Sequence, residues 1–228
     1  MFLKRLALLL ALLAPTLPAL ANHIFIPMDN SQKEHLKAYG LCYWALSKQI
    51  EVDWLLNYKG GAFALEAQPS VESELAVRGI TFQTISEAQY TGILSEIADP
   101  NANMDVMKLE KVPKIAVYTP KGKQPWDDAV TMVLTYAEIP YDKIYDDEVL
   151  AGTLPKYDWL HLHHEDFTGE YGKFYSTYRF APWYQQQQRE AEAAAKRNGF
   201  TKVSQMKAAE AVKMQEFIAG GGFMFAMC

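Results

Sequence analysis

Short apolar runs alternate with segments of helical periodicity along the first half of the chain. The spacing of Leu36, Tyr39 and Tyr43 predicts a helix, because these positions recur on one face at a period of 3.6 residues. Ser70 and Ser86 are typical N-caps and predict the start of two more helices. Strands are predicted in the intervening apolar runs, at residues 24–28, 52–58 and 80–85.

The same alternation restarts in the second half of the chain. Strands are predicted at residues 114–118, 141–145, 157–163 and 223–226, and helices at 126–137, 182–197 and 201–219. Strands that alternate with helices predict βαβ units and a mostly parallel sheet, hence an α/β fold. The two halves share this layout, but their sequence identity to each other is poor. The likeness is consistent either with two related βαβ halves or with the ordinary layout of α/β proteins. We place the domain boundary between residues 112 and 113.

The first 21 residues have the pattern of a cleavable signal peptide. Lys4 and Arg5 precede an unbroken run of Leu and Ala at residues 6–13, and Ala19-Leu20-Ala21 matches a small-x-small cleavage site. A membrane anchor is the alternative, but the apolar run is too short to cross a bilayer. The sequence therefore predicts export to the periplasm or the extracellular space, with residues 22–112 and 113–228 as the mature regions and no membrane anchor after cleavage.

Composition narrows the choice of partners. The chain has 27 acidic and 22 basic residues, for a formal net charge of −5. This balance argues against a nucleic-acid partner, because neutralising phosphates requires clustered Lys and Arg. With 13 Tyr, 11 Phe and 5 Trp, the chain has enough aromatic residues for a large core or an aromatic-lined site.

Candidate functional residues follow three of the predicted strands. Ligands of open parallel sheets bind beyond the carboxyl ends of the strands, an edge that we call the carboxyl-end rim. Lys121 lies in the loop after the strand at 114–118, and Cys228 directly follows the strand at 223–226. If the strands are neighbours, these ends share one rim. Cys228 fits either a nucleophile on a sharp strand-to-helix turn or a buried apolar cysteine.

A histidine-rich segment follows the strand at 157–163. His161 and His163 share one face of that strand, while His164 and Glu165 come directly after it. Histidines at i and i+2 with a nearby Glu are compatible with a metal site, a polar ligand site or a structural role. His163 or His164 could also serve as a base, since histidine titrates near neutral pH. We select His163, His164, Glu165 and Lys121 as substrate-binding residues, and we expect neither a metal nor a cofactor.

Two further segments have both a functional and a structural interpretation. The aromatic segment that includes Tyr175, Tyr178 and Trp183 is consistent with a stacking surface for a sugar or peptide, or with rings packed onto the domain. The run Asp146-Asp147-Glu148 is interpreted as the solvated end of a strand.

The longer patterns resemble a known family. The stretch from Ile115 to Tyr175, which contains IAVYTPKGKQPWDDAVTMVLTYAEIPYDKIYDDEV and YDWLHLHHEDFTGEYGKFY, is similar to an exported bacterial family, chiefly of Bacteroidetes, labelled asparagine synthetase B. The ending IAGGGFMFAMC and the segment IFIPMDNSQKEHLKAYGLCYWALSKQIEVDWLLNYKGGAF resemble the same family. The second half also resembles the class I glutamine amidotransferase-like, flavodoxin-like fold. That resemblance implies a three-layer domain in which Cys228 is the nucleophile.

The resemblance also sets expectations about activity. Family members continue past this cysteine, and the histidine that pairs with it in the amidotransferase fold lies further along, so we expect no turnover from the 228-residue chain. The first hypothesis is a Cys-dependent amide hydrolase in the full-length form, acting on a small molecule or peptide. The second is a non-catalytic module that binds a glycan or peptide. A true ATP-dependent asparagine synthetase is the least favoured, because the sequence lacks an SGGxDS pyrophosphate loop and an N-terminal Cys after cleavage.

Overall fold

The computed structural model describes residues 22–120, 129–163, 167 and 172–227, with no description of the side chains at 163 and 172–174. The chain divides into two compact units. The first contains the described residues up to His35 together with Lys48–Glu110. The second contains Leu36–Ser47 together with the described residues from Lys111 onward.

The predicted signal peptide at residues 1–21 lies outside the described residues and stays a prediction. The first strand begins at Asn22, the residue after the predicted cleavage site. None of the helices in the described ranges is long and apolar enough to span a bilayer.

The first unit is built on an antiparallel five-stranded sheet. Its strands are β1 (Asn22–Ile26), β2 (Val52–Leu56), β3 (Ala62–Glu66), β4 (Gln83–Ser86) and β5 (Asp105–Leu109). They lie in the order β4-β1-β3-β2-β5. Two helices of this unit are α2 (Pro69–Arg78) and α3 (Glu87–Ile97). The Ser86 N-cap of α3 is confirmed, since its hydroxyl accepts a hydrogen bond from the Gln89 backbone N–H.

This antiparallel sheet corrects the expectation of a parallel βαβ unit in the first half. The strands β1 and β2 run in the same direction, but β3 lies between them and pairs with both in the antiparallel sense. Neither β3 nor β5 was predicted from the sequence. The strand predicted at residues 52–58 ends at Leu56, and Gly60 and Gly61 lie in the turn of the β2–β3 hairpin with left-handed φ angles of 81° and 89°. The two halves are therefore not two copies of one βαβ arrangement.

The second unit has the parallel sheet expected of an α/β, flavodoxin-like fold. Its order is β7-β6-β8-β9, with every pair parallel. Counted within this unit the order is 2-1-3-4, which matches the first four strands of the flavodoxin-like sheet. The strands are β6 (Ile115–Tyr118), β7 (Asp142–Ile144), β8 (Trp159–His163) and β9 (Phe223–Met227).

Helices cover both faces of the parallel sheet, giving three layers. Alternate residues of a strand point to opposite faces. On one face, Ala116 and Leu160 pack with Phe217 of the helix α8. On the other, Val117 packs with Leu134. The helices of this unit are α1 (His35–Ser47), α4 (Ala129–Ala137), α5 (Asp146–Leu150), α6 (Gly172–Tyr178), α7 (Pro182–Arg197) and α8 (Val203–Ala219).

Helix α1 comes from the first half of the chain but belongs to the second unit. Tyr43 of α1 packs against the face that contains Ile115, and its hydroxyl donates to the Pro113 carbonyl at 3.2 Å. Gly40 permits this close approach, because a β-carbon there would overlap the carbonyl oxygen of Ala137 at the end of α4. The contact explains why a glycine occupies the middle of α1, where it weakens a helix.

We predict that Gly40→Ala destabilises the protein by about 1–3 kcal/mol, because the added methyl group forces α1 away from α4. Gly92→Ala, in the middle of α3, is the matched control. A β-carbon at Gly92 would meet no atom within 4 Å, so the change should stabilise by up to about 1 kcal/mol. Urea unfolding monitored by circular dichroism measures both. Equal effects of the two substitutions would contradict the close approach.

Candidate functional site at the carboxyl-end rim

The carboxyl ends of the parallel strands lie side by side. Because β6, β8 and β9 are consecutive neighbours, the expectation that their ends share one rim is confirmed. Tyr118 at the end of β6 pairs in register with Leu162, and His163 at the end of β8 pairs with Met227. The strand order reverses direction between β6 and β8, which is where flavodoxin-like sheets bind ligands.

The structure describes only part of the predicted site. His163 is the last residue of β8, although its side chain is not described. Lys121, His164, Glu165 and Cys228 lie outside the described residues, so their roles stay predictions. Cys228 follows Met227 directly in the chain.

His161 is buried in the sheet rather than presented at the rim. It is 3% exposed, and its ring stacks on Phe225 at 5.7 Å between centroids. Trp159 contacts the His161 ring edge-on. Across the described part of the chain, no group of three or more His, Cys, Asp or Glu side chains could hold a metal ion.

A buried cluster of polar and charged side chains, which was not predicted from the sequence, lies beneath the rim. We call Tyr118, Asp146, Lys207 and Glu210 the quartet. Tyr118 ends β6, Asp146 begins α5, and the other two lie one turn apart on α8. None of the four is more than 4% exposed.

The phenol oxygen of Tyr118 is the centre of the quartet. It lies 2.6 Å from Asp146 Oδ1, 2.6 Å from Glu210 Oε2 and 2.6 Å from Lys207 Nζ. Lys207 Nζ also lies 2.8 Å from Asp146 Oδ1 and 3.4 Å from Glu210 Oε2. The ammonium group lies about 5 Å from the ring centroids of Tyr118, Tyr145 and Phe167, a cation–π distance.

These contacts constrain the protons of the quartet. A phenol donates one hydrogen bond and accepts two, and an ammonium group only donates, so the two carboxyl groups compete for one phenolic proton. Burial raises the pKa of Glu210, which favours its protonated form. Glu210 Oε2 also lies farther than Asp146 Oδ1 from the Lys207 ammonium, at 3.4 Å against 2.8 Å.

Two polar atoms in this region lack hydrogen-bond partners within the described structure: Glu210 Oε1 and Thr119 Oγ1. Thr119 is the residue after β6, and its backbone N–H bonds to the Ile144 carbonyl at 3.0 Å. The quartet thus joins β6, α5 and α8 just below the start of the segment that carries Lys121. Its side chains are shielded from solvent and contact one another, so they tie these three elements together beneath the rim.

The predicted solvated end at Asp146-Asp147-Glu148 is wrong for Asp146. These acidic residues form the first turn of α5, where the helix dipole favours negative charge. Asp146 turns inward to Lys207, whereas Asp147 pairs at the surface with Arg197 at 2.7 Å.

A signal for the quartet was present in the sequence of α8. The buried positions Val203, Met206, Met214 and Phe217 form a stripe at helical spacing, and Lys207 and Glu210 fall within it. Two charged residues of opposite sign on an apolar stripe indicate buried ionic partners. The partners themselves, on β6 and α5, follow only from the fold.

The aromatic segment after β8 is largely open to solvent. Tyr175, Tyr178 and Trp183 are 40–51% exposed and Phe180 is 79% exposed, while Tyr184 is buried. The ring of Tyr178 lies 5.2 Å from that of Trp183. The interpretation as rings packed onto the domain is confirmed for Tyr184, while Tyr175, Tyr178 and Trp183 are partly open to solvent and Tyr171 of the same segment lies outside the described residues.

Comparison with known proteins adds no relative: no family model, curated protein or solved structure matches this chain.

We predict that Lys207→Met lowers the free energy of unfolding by about 3–5 kcal/mol, because Asp146 loses its buried counter-charge. Lys213→Met is the matched control. Lys213 lies on the same helix and pairs with Glu216 at the surface, so its loss should cost about 1 kcal/mol or less. Urea unfolding measures both variants, and similar losses would show that the quartet contributes no more than a surface pair.

We predict a pH trend for Glu210→Gln. The folded state holds the Glu210 proton more tightly than the unfolded chain does. The stability from this group is therefore complete below the ordinary pKa of 4.5 and is lost as pH rises through the raised value. The amide does not titrate, so the stability of the variant relative to the parent protein should increase with pH.

Urea unfolding between pH 4 and pH 8 tests this trend. Glu216→Gln, on the exposed part of α8, is the control for a general charge effect. A difference between Glu210→Gln and the parent that falls with rising pH would show that Glu210 is ionised in the folded protein.

Proposed function

We propose that this protein is an exported, class I glutamine amidotransferase-like protein. It binds an amide-bearing small molecule or peptide at the carboxyl-end rim between β6 and β8, and in its full-length form it hydrolyses the amide with Cys228 as nucleophile. The observation that carries the proposal is the register of β8 and β9. His163 pairs with Met227 on neighbouring parallel strands, so the histidine segment and the cysteine follow adjacent strand ends.

The chemistry requires a thiolate and a proton donor. The Cys228 thiolate attacks the amide carbonyl carbon, the C–N bond breaks, and the leaving nitrogen takes a proton from a histidine. Water then hydrolyses the thioester and regenerates the thiol. His163 and His164 are the candidates for this proton transfer within the chain, while the family resemblance points to a histidine beyond Cys228. Lys121 and Glu165 contribute to substrate binding.

Export rests on the sequence pattern of residues 1–21, in which Lys4 and Arg5 precede an apolar run and Ala19-Leu20-Ala21 forms a small-x-small cleavage site. The proposal includes no metal and no cofactor.

A second candidate function is a non-catalytic module that binds a glycan or peptide. The exposed rings of Tyr175, Tyr178 and Trp183 favour it, because aromatic faces open to solvent stack on sugars and peptide side chains. In this alternative Cys228 is an ordinary thiol.

We predict that the rate at which Cys228 in the full-length protein reacts with iodoacetamide rises with pH, and that it is half-maximal at a pH clearly below the ordinary thiol pKa of about 8.5. Cys42 is the internal control, since it is buried and burial raises its pKa. Intact mass should therefore show one fast adduct, lost in Cys228→Ser and kept in Cys42→Ala. Hydrolysis of an amide substrate should also be lost in Cys228→Ser.

If the alkylation rate of Cys228 is half-maximal only at about pH 8.5 or above, Cys228 is not an activated nucleophile and the binding module is favoured. Fast alkylation of Cys42 would show instead that α1 does not pack as described.

A further inference from the structure

We infer that the first unit contains a ligand site of its own, a cavity that takes a neutral sugar residue. The cavity has a volume of about 690 Å³, within the range of small-molecule sites. It shares no residue with the carboxyl-end rim, so this inference does not depend on the proposed hydrolase. Its lining includes the apolar residues Phe25, Ile85 and Ile93 and the charged residues Asp29, Lys59 and Glu96.

One wall of the cavity is the β2–β3 turn, which is held in a strained form. Asn57 and Lys59 have left-handed φ angles of 60° and 47° although neither is a glycine. Such residues cost on the order of 1 kcal/mol each and persist only where the surroundings hold them. The Met28 N–H donates to the Lys59 carbonyl at 2.9 Å, and a β-carbon at Gly60 would overlap the Met28 carbonyl. The turn is thereby fixed beside Asp29 before any ligand arrives.

The part of the lining that α3 provides contains a glycine with no packing reason to be one. Gly92 lies in the middle of α3 and lines the cavity, and a β-carbon there would meet no atom within 4 Å. A glycine at such a position costs roughly 0.5–1 kcal/mol relative to alanine. What the glycine provides is open space on the cavity side of the helix.

The charges of the lining select the class of ligand. An anionic ligand would meet the carboxylates of Asp29 and Glu96, and a cationic one would meet Lys59. A neutral polyol can donate hydroxyl protons to the carboxylates and accept from the ammonium group. Asp29 has an oxygen available for this, because both bonds from Ser31 go to Oδ1.

The aromatic side of the cavity completes the match to a sugar. Tyr58 lines the cavity and contacts Phe25 edge-on at 6.1 Å between ring centroids. A sugar ring presents C–H groups on one face and hydroxyls at its edge, which suits a lining that combines aromatic rings with carboxylates. Burial, the charge of Glu96 and a hydrogen bond to that carboxylate raise the pKa of Tyr58. The Tyr58 proton is thus engaged with Glu96, and the phenol oxygen remains an acceptor for a sugar hydroxyl.

Titration calorimetry with four neutral disaccharides tests the site: maltose, cellobiose, lactose and N,N′-diacetylchitobiose. Glucosamine and glucuronic acid are the charged comparisons. We expect at least one neutral disaccharide to bind, more tightly than either charged sugar. Gly92→Leu should weaken that binding at least tenfold by filling the cavity, while the melting temperature stays equal or rises because the helix loses a glycine.

Three further variants test whether the sugar occupies this cavity or another surface of the protein. Thr91→Leu places the same leucine side chain on α3 at an exposed position outside the lining and should change affinity less than twofold. Lys59→Gly relieves the left-handed backbone and removes a polar contact, so it should weaken binding without loss of stability. Trp183→Ala removes an exposed ring of the second unit and should leave this affinity unchanged.

The inference is overturned if none of the four neutral disaccharides binds, or if a charged sugar binds more tightly. It is also overturned if Gly92→Leu and Lys59→Gly bind as the parent protein does. Loss of binding in Trp183→Ala alone would place the sugar on the aromatic surface of the second unit instead.

Discussion

Charged groups can be enclosed in a protein only when each finds its partners inside, and the quartet meets this condition around the phenol of Tyr118. Its members come from β6, α5 and α8, so the ammonium of Lys207 has both its counter-charge on α5 and its phenol partner on β6 only when all three elements are in place. Apolar packing alone would tolerate small shifts of α8 along the sheet. The hydrogen bonds to the phenol do not allow such shifts, because a displaced α8 would leave buried charges unpaired.

The same constraint links the core of the second unit to its rim. Tyr118 is the last residue of β6, and Thr119 is the first residue beyond it. A group that fixes Tyr118 therefore fixes the point where the chain leaves the sheet. In parallel sheets ligand-binding segments begin at this point, and their precision depends on how firmly the strand end is held.

How much could be predicted from the sequence differs between the two units. In the second unit the apolar runs and helical stripes gave the strands and most helices, because parallel βαβ units have a strong pattern. In the first unit β3 was missed, since its pairing with β1 and β2 is a long-range property that a five-residue run does not reveal. Asp146 was missed for a similar reason, because its partner Lys207 lies 61 residues away in the chain.

The assignment of α1 to the second unit has a consequence for how the protein is made. A chain is synthesised from its N-terminus, and domains generally fold as they emerge. Helix α1 appears before the strands of the first unit are complete and well before Ile115 and Ala137, against which it packs. The apolar face of α1 therefore stays exposed to solvent until these partners have been synthesised, while the segments before and after it fold. The order of synthesis and the order of packing conflict at this helix, and a chaperone that binds nascent apolar segments would find its target there.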